Sequence, residues 1–136
     1  MGKRKEKSTC LNCQKEFHAS YTSFGKYCSN KCQFEYSAKE IFKRIENGEQ
    51  LRSRYMKKYL IHKYGEKCLN PDCGWDWSKY CRIELEHKDG NSTNNELSNL
   101  TLLCPNCHSN TSTYGNKNRG NGRKVRRQRY QEGKSY

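Results

Sequence analysis

The side chains with the most chemistry to offer in this 136-residue chain are nine cysteines and four histidines, and the cysteines are not scattered. Cys10 and Cys13 form a C-x2-C pair, and Cys28 and Cys32 a C-x3-C pair after a gap of fourteen residues. Cys68 and Cys73 (C-x4-C) precede Cys104 and Cys107 (C-x2-C) by thirty residues. A short pair in a tight turn presents two sulfurs to one ion, and two such pairs fill the tetrahedral shell of a zinc. The predicted ligand sets are Cys10, Cys13, Cys28 and Cys32 for one structural Zn2+, and Cys68, Cys73, Cys104 and Cys107 for a second. A redox role would call for one C-x-x-C beside a parallel-sheet pattern, which this sequence lacks. His18 is the less economical ligand for the first ion, and Cys81 is left over as a strand residue.

The pentapeptide "CPNCH" (104–108) allows three readings. It matches a haem-attachment motif, half of a zinc site, or a zinc pair followed by a histidine free for other work. Haem is set aside because both cysteines already have partners in Cys68 and Cys73 and no export signal is recognisable. Met1 and Met56 are also the only methionines available as axial ligands. With four thiolates around the zinc, His108 is not needed there and is free for other chemistry.

The elements that must position these residues can be read from composition and periodicity. Apolar residues make up only 32% of the chain, so a metal staple has to replace part of a core. Residues 1–35 read as a zinc finger with a basic leader. Residues 36–64 read as a helical linker, broken into two helices at "ENGEQ" (46–50) by its Asn-Gly. Residues 65–115 hold the second cysteine set. There "CRIELEH" (81–87) alternates, with Ile83 and Leu85 on one face and Arg82, Glu84 and Glu86 on the other. A loop "KDGNSTNN" (88–95) follows, then an apolar run "ELSNLTLLC" (96–104), then a segment opening with Pro105 at a first helical position. Residues 116–136 lack apolar periodicity and read as a basic arm that orders on a partner.

Net charge is +13, concentrated at the two ends. The C-terminal arm sets Lys117, Arg119, Arg123, Lys124, Arg126, Arg127, Arg129 and Lys134 against Glu132 alone. Basic ends with aromatics between them favour nucleic acid as partner, so the candidate DNA contacts are Lys117, Arg119, Arg123, Lys124, Arg126, Arg127 and Arg129. No stretch reaches the ~20 apolar residues of a membrane span. The first twenty residues carry no apolar signal segment, so the expected compartment is the cytoplasm (of the host cell, if a phage encodes the chain) rather than the exterior.

The segments "ELEHKDGN" (84–91) and "NELSNLTLLCPNCHSN" (95–110), flanked by Cys68 and Cys73, resemble the HNH endonucleases. The resemblance spans roughly residues 60–118 and is strongest to the zinc-knuckled phage and bacterial branch. "YCSNKCQFEY" (27–36) is similar to the N-terminal finger of some phage members. The three signature positions fall on His87, Asn99 and His108.

The resemblance implies a small α+β zinc-stabilised protein: an N-terminal zinc finger, a helical linker, a ββα-metal hairpin and a basic C-terminal arm. It implies metal-dependent hydrolysis of phosphodiester bonds in double-stranded DNA, with a phage homing or genome-processing role. His87 would be the general base. Glu86 and His108 would hold one catalytic divalent ion (Mg2+ or Mn2+), and Asn99 would tie down the loop and orient His87. Glu86 stands where the family usually has Asp. One hairpin per chain favours a monomer that nicks. The rival readings are a non-catalytic zinc-finger DNA-binding regulator and, less well supported, an RNA-binding zinc protein.

Overall fold

The computed structural model describes residues 7–18, 25–74, 82–118 and 122–133. They fall into two compact units, 1–47 and 48–136.

In the first unit, strands β1 (Lys7–Thr9) and β2 (Glu16–His18) pair antiparallel, with Lys7 opposite His18. The turn between them carries Cys10 and Cys13, and Gln14 takes a left-handed φ of 60° to close it. Helix α1 (Asn30–Glu46) starts earlier than the helical stretch expected from residue 36. The reason is local: the Ser29 hydroxyl accepts from the Cys32 amide at 3.2 Å and caps the helix. Cys32 therefore sits in a first helical turn. Lys43 and Arg44 complement the dipole at the other end, where the helix stops at Asn47. Ile45 and Cys10 are fully buried.

The second unit begins at Gly48. Helix α2 (Ser53–Tyr64) lies beyond the "ENGEQ" break, so the helical stretch is two helices, one in each unit. Its Met56, Tyr59 and Leu60 recur at helical spacing, are buried, and face the hairpin made by β3 (Glu84–His87) and β4 (Leu100–Leu103). The register sets Glu84 against Leu103 and His87 against Leu100. Ile83 and Leu102 are buried almost completely. The opposite face of β3 is also covered, which the alternating pattern did not announce: helix α3 (Pro105–Ser109) packs on both strands and leaves Glu86 only 6% exposed. Pro105 occupies a first helical position, and the cap is Cys104, whose sulfur accepts from the Cys107 amide at 3.2 Å.

A 3-10 turn (Gly115–Asn118) then returns to the loop after β3. Asn118 donates its side-chain amide to the Gly90 carbonyl at 2.7 Å. Within the basic arm, Gly122–Gln131 forms helix α4. Its Arg, Lys and Gln residues are strong helix formers, and that local preference needs no apolar stripe. Among the described residues no helix is long and apolar enough to cross a membrane.

Gly90 joins the strand to this return. Its φ is +72°, and a Cβ there would lie 2.5 Å from Asn118 Oδ1 and 2.9 Å from Thr113 Cγ2. Gly90→Ala should therefore destabilise the second unit by about 1–3 kcal/mol, read as a lower thermal midpoint. A midpoint equal to wild type would show that the loop is not held as described.

Candidate active site and metal centres

The two cysteine sets assemble as their spacing predicted. Ligand atoms of Cys10, Cys13, Cys28 and Cys32 lie within 4.8 Å of one another, and so do those of Cys68, Cys73, Cys104 and Cys107. Sulfurs at the corners of a tetrahedral zinc with ~2.3 Å bonds stand about 3.8 Å apart. The distances of 3.6 Å for Cys13–Cys28, 3.4 Å for Cys28–Cys32 and 3.9 Å for Cys73–Cys104 fit such an ion.

Electrostatics agree. Burial alone would raise the Cys10 thiol, but amide donors of Cys13, Cys28 and Asn12 outweigh it and lower it to about 6. Cys28 beside Cys32 and Cys13 is pushed up to about 12. In the second set burial would raise Cys104, yet the Cys107 amide and neighbouring thiols hold it low. The Asn70 amide pulls Cys107 down, while burial and the thiols of Cys104, Cys73 and Cys68 push it up to about 12. In each set some thiols ionise readily and others resist, because four thiolates this close need a cation between them. Both sets could hold structural zinc.

The second set is tied to the hairpin by several bonds. Leu69 donates to the Leu102 carbonyl at 2.8 Å, and the Cys104 amide points at Cys68 Sγ at 3.4 Å. The Asn70 side chain donates to Cys107 Sγ at 3.2 Å. Once Cys104 and Cys107 are fixed, the first turn of α3 is fixed with them. His108, the next residue, then points away from the thiolates and back at β3.

There His108 Nε2 lies 2.8 Å from Glu86 Oε2, and His108 Nδ1 meets Glu84 Oε2 in a second, very short contact. Thr113 donates its hydroxyl to the other oxygen of Glu86. Tyr114 sets its ring edge-on to the imidazole, with centroids 5.0 Å apart. Among the described residues no Lys or Arg pairs with Glu84 or Glu86. A carboxylate buried beside a second carboxylate, with only an imidazole between them, is a costly arrangement that a bound cation would relieve. Glu86 Oε2 and His108 Nε2 form an oxygen–nitrogen pair that suits a divalent cation.

His87 leaves the strand on the other side, as adjacent strand residues do. Its Nε2 lies 3.0 Å from Asn95 Oδ1. That oxygen also accepts from Ser53 Oγ at 3.1 Å, and the Asn95 amide donates to Gln50 at 3.2 Å. Because Asn95 offers an acceptor, the imidazole must offer N–H at Nε2, and in the neutral ring the lone pair falls on Nδ1. Asn99 does not touch this ring. It donates to Asp89 Oδ1 and to the Asn94 carbonyl, both at 2.9 Å, and accepts from the Asp89 amide at 3.0 Å. Its own carbonyl accepts from Lys88 at 2.9 Å, so Asn99 braces the loop that follows His87.

Glu86 and His108 are thus brought together, while His87 and Asn99 have partners of their own. Lys117 is exposed and bonds to the Ser109 and Thr111 carbonyls, Arg127 and Arg129 are exposed on α4, and Arg123, Lys124 and Arg126 lie on the same helix. Arg119 and Cys81 lie outside the described residues. His18 is on β2, apart from the ligand set. Three residues were missed from the sequence. Glu84 was signalled by the same alternation that exposed Glu86. Asn95 and Thr113 had no signal, because their partners are distant in the chain.

No protein-family model matches the chain, and no solved structure matches it. It is 39% identical over 90 residues to the H-N-H endonuclease F-TflIV of Escherichia phage T5. The match covers 65% of this chain and 40% of that protein, so the chain spans well under half of its relative's length. That relative bears the name of the family that the signature residues resemble.

Two measurements follow from this geometry. Purified protein should hold two zinc ions, falling to one in Cys104→Ala, and lowering the pH should release zinc as protons compete for thiolates. Elemental analysis of dialysed samples reads both, and an unchanged zinc content in Cys104→Ala would reject the second set. Burial tends to raise Asp89, but the Asn91 amide, the Asn94 and Asn99 side chains and the His87 charge together lower it. A depressed carboxylate adds stability above its unfolded value near 3.8 and loses it as pH falls through the folded value. Amide exchange at Asn91 should accordingly speed up, relative to β3, only below about pH 4.

Proposed function

We propose that the chain is a metal-dependent DNA endonuclease of HNH type, with β3, β4 and α3 forming the family's ββα-metal hairpin. The observation that carries this reading is the 2.8 Å approach of His108 Nε2 to the buried Glu86 carboxylate, on a helix turn anchored by Cys104 and Cys107. Glu86 and His108 would hold the catalytic divalent ion, Mg2+ or Mn2+. Bound there, such an ion neutralises phosphate charge and supports the leaving oxygen. Glu86 is kept in place by Thr113, and its burial keeps competing water away from one side. His87 would take a proton from the attacking water at Nδ1, with the ring held by Asn95. Asn99 would act on the loop and only through it on His87.

DNA would be gripped mainly through phosphates by Lys117 and the basic residues of α4, with one hairpin per chain giving a nick in duplex DNA. A homing or genome-processing role in a phage accords with the phage origin of the relative.

Supercoiled plasmid incubated with the protein in Mg2+ or Mn2+ should relax, and EDTA should stop it. His87→Ala should retain two zincs and lose about 10²–10⁴-fold in rate. Protein that binds DNA but never relaxes the plasmid would favour the regulator reading. Removing residues 117–136 should weaken duplex binding and flatten its salt dependence, by roughly 0.9 in log–log slope for each phosphate that is no longer neutralised. Unchanged affinity would deny the arm its role.

A further inference from the structure

Glu84 has no part in the mechanism above, yet it makes the shortest polar contact to His108. Strand alternation places it on the same face of β3 as Glu86, about 6–7 Å along the chain. The imidazole of His108 bridges the two, with Nδ1 on Glu84 and Nε2 on Glu86. The ring nitrogens face diverging directions, so an ion held by Nε2 and Glu86 lies on the far side of the ring from Glu84. Glu84 is thus badly placed to be a ligand and well placed to control one.

We propose that Glu84 is a positioning residue that fixes both the orientation and the tautomer of His108 for the divalent ion. This rests on the metal-site reading of Glu86 and His108. An ionised carboxylate only accepts, so the Nδ1 facing it must carry hydrogen. Nε2 is then the nitrogen left to offer a lone pair to a cation held between it and Glu86. A carboxylate behind a metal-binding histidine acts in this way elsewhere, fixing ring rotation and raising ligand basicity. The Tyr114 edge contact limits ring tilt but cannot choose between the nitrogens, and Thr113 acts on Glu86 alone. No other described group touches Nδ1. The Glu84 side chain is 44% exposed, so the fold does not depend on burying it.

The test uses the full zinc-loaded chain, with Mn2+ as the probe because hard cations compete poorly for thiolate sites. Titration calorimetry should show Mn2+ affinity falling about 10–100-fold in Glu84→Ala. Glu84→Gln also removes the charge but keeps an oxygen that accepts from Nδ1, so it should recover much of that loss. Nitrogen-15 shifts of His108 in Mg2+-saturated protein, Mg2+ being diamagnetic, should report hydrogen on Nδ1 and the ion on Nε2 in wild type and Glu84→Gln. Glu84→Ala should report a mixture of tautomers.

Equal weakening by Ala and Gln, with one tautomer throughout, would mean that Glu84 contributes charge alone and would overturn the proposal. Wild-type affinity in Glu84→Ala, in a protein where His108→Ala abolishes binding, would overturn it and leave the metal site standing. Mn2+ binding unaffected by His108→Ala would remove the metal site and this role of Glu84 together.

Discussion

Mutual repulsion among four sulfurs is the constraint on which the second unit rests. Cys68, Cys73, Cys104 and Cys107 come from a loop, the end of a strand and the first turn of a helix, and their sulfurs lie within 4.8 Å of one another. Held that close, they stay together as thiolates only around a cation. Cys104 carries three duties at once: it follows the last residue of β4, caps α3 and offers a sulfur to the ion. An ion held there would set the direction in which α3 leaves the hairpin more than helix packing does, since five residues make too short a helix to hold a direction alone. His108 inherits its aim from that turn.

The polar side of the hairpin is organised around the same turn. Glu84 and Glu86 would ordinarily be the solvent face of a two-stranded sheet. With α3 packed on the hairpin, Glu86 is buried, Glu84 stays partly exposed, and an imidazole lies between them. Thr113 and Tyr114 meet Glu86 and that ring from the segment that follows α3, and Asn118 then binds the loop after β3. A chain with few apolar residues has in this way used polar bonds and sulfur to order a region that larger proteins would order with a core.

What the sequence reveals follows the range of the forces involved. The cysteine sets were legible because ligand spacing is local chemistry, while the pairing of Glu86 with His108 was implied by the family resemblance. The start of α1 was obscured because Ser29 and Cys32 look like parts of a finger, although one is a cap and the other a helical residue. Glycines and asparagines at 115–122 drew attention away from the helix-forming run "RKVRRQRYQ". The partner of His87 could not be read at all: Asn95 is steadied by Ser53 and Gln50, more than forty residues away in the chain. Asn99, which the resemblance assigned to tying down the loop and orienting His87, bonds to that loop and not to the ring.

That arrangement around His87 has a bearing on how such proteins diverge. The ring's restraint is borrowed from the start of α2, outside the stretch that carries the signature residues. Two chains with the same signature need not share equivalents of Gln50, just before the second helix, and Ser53, at its first position. Substitutions there would retune the imidazole while leaving every hallmark letter unchanged, so kinship judged on those letters alone would overlook the difference.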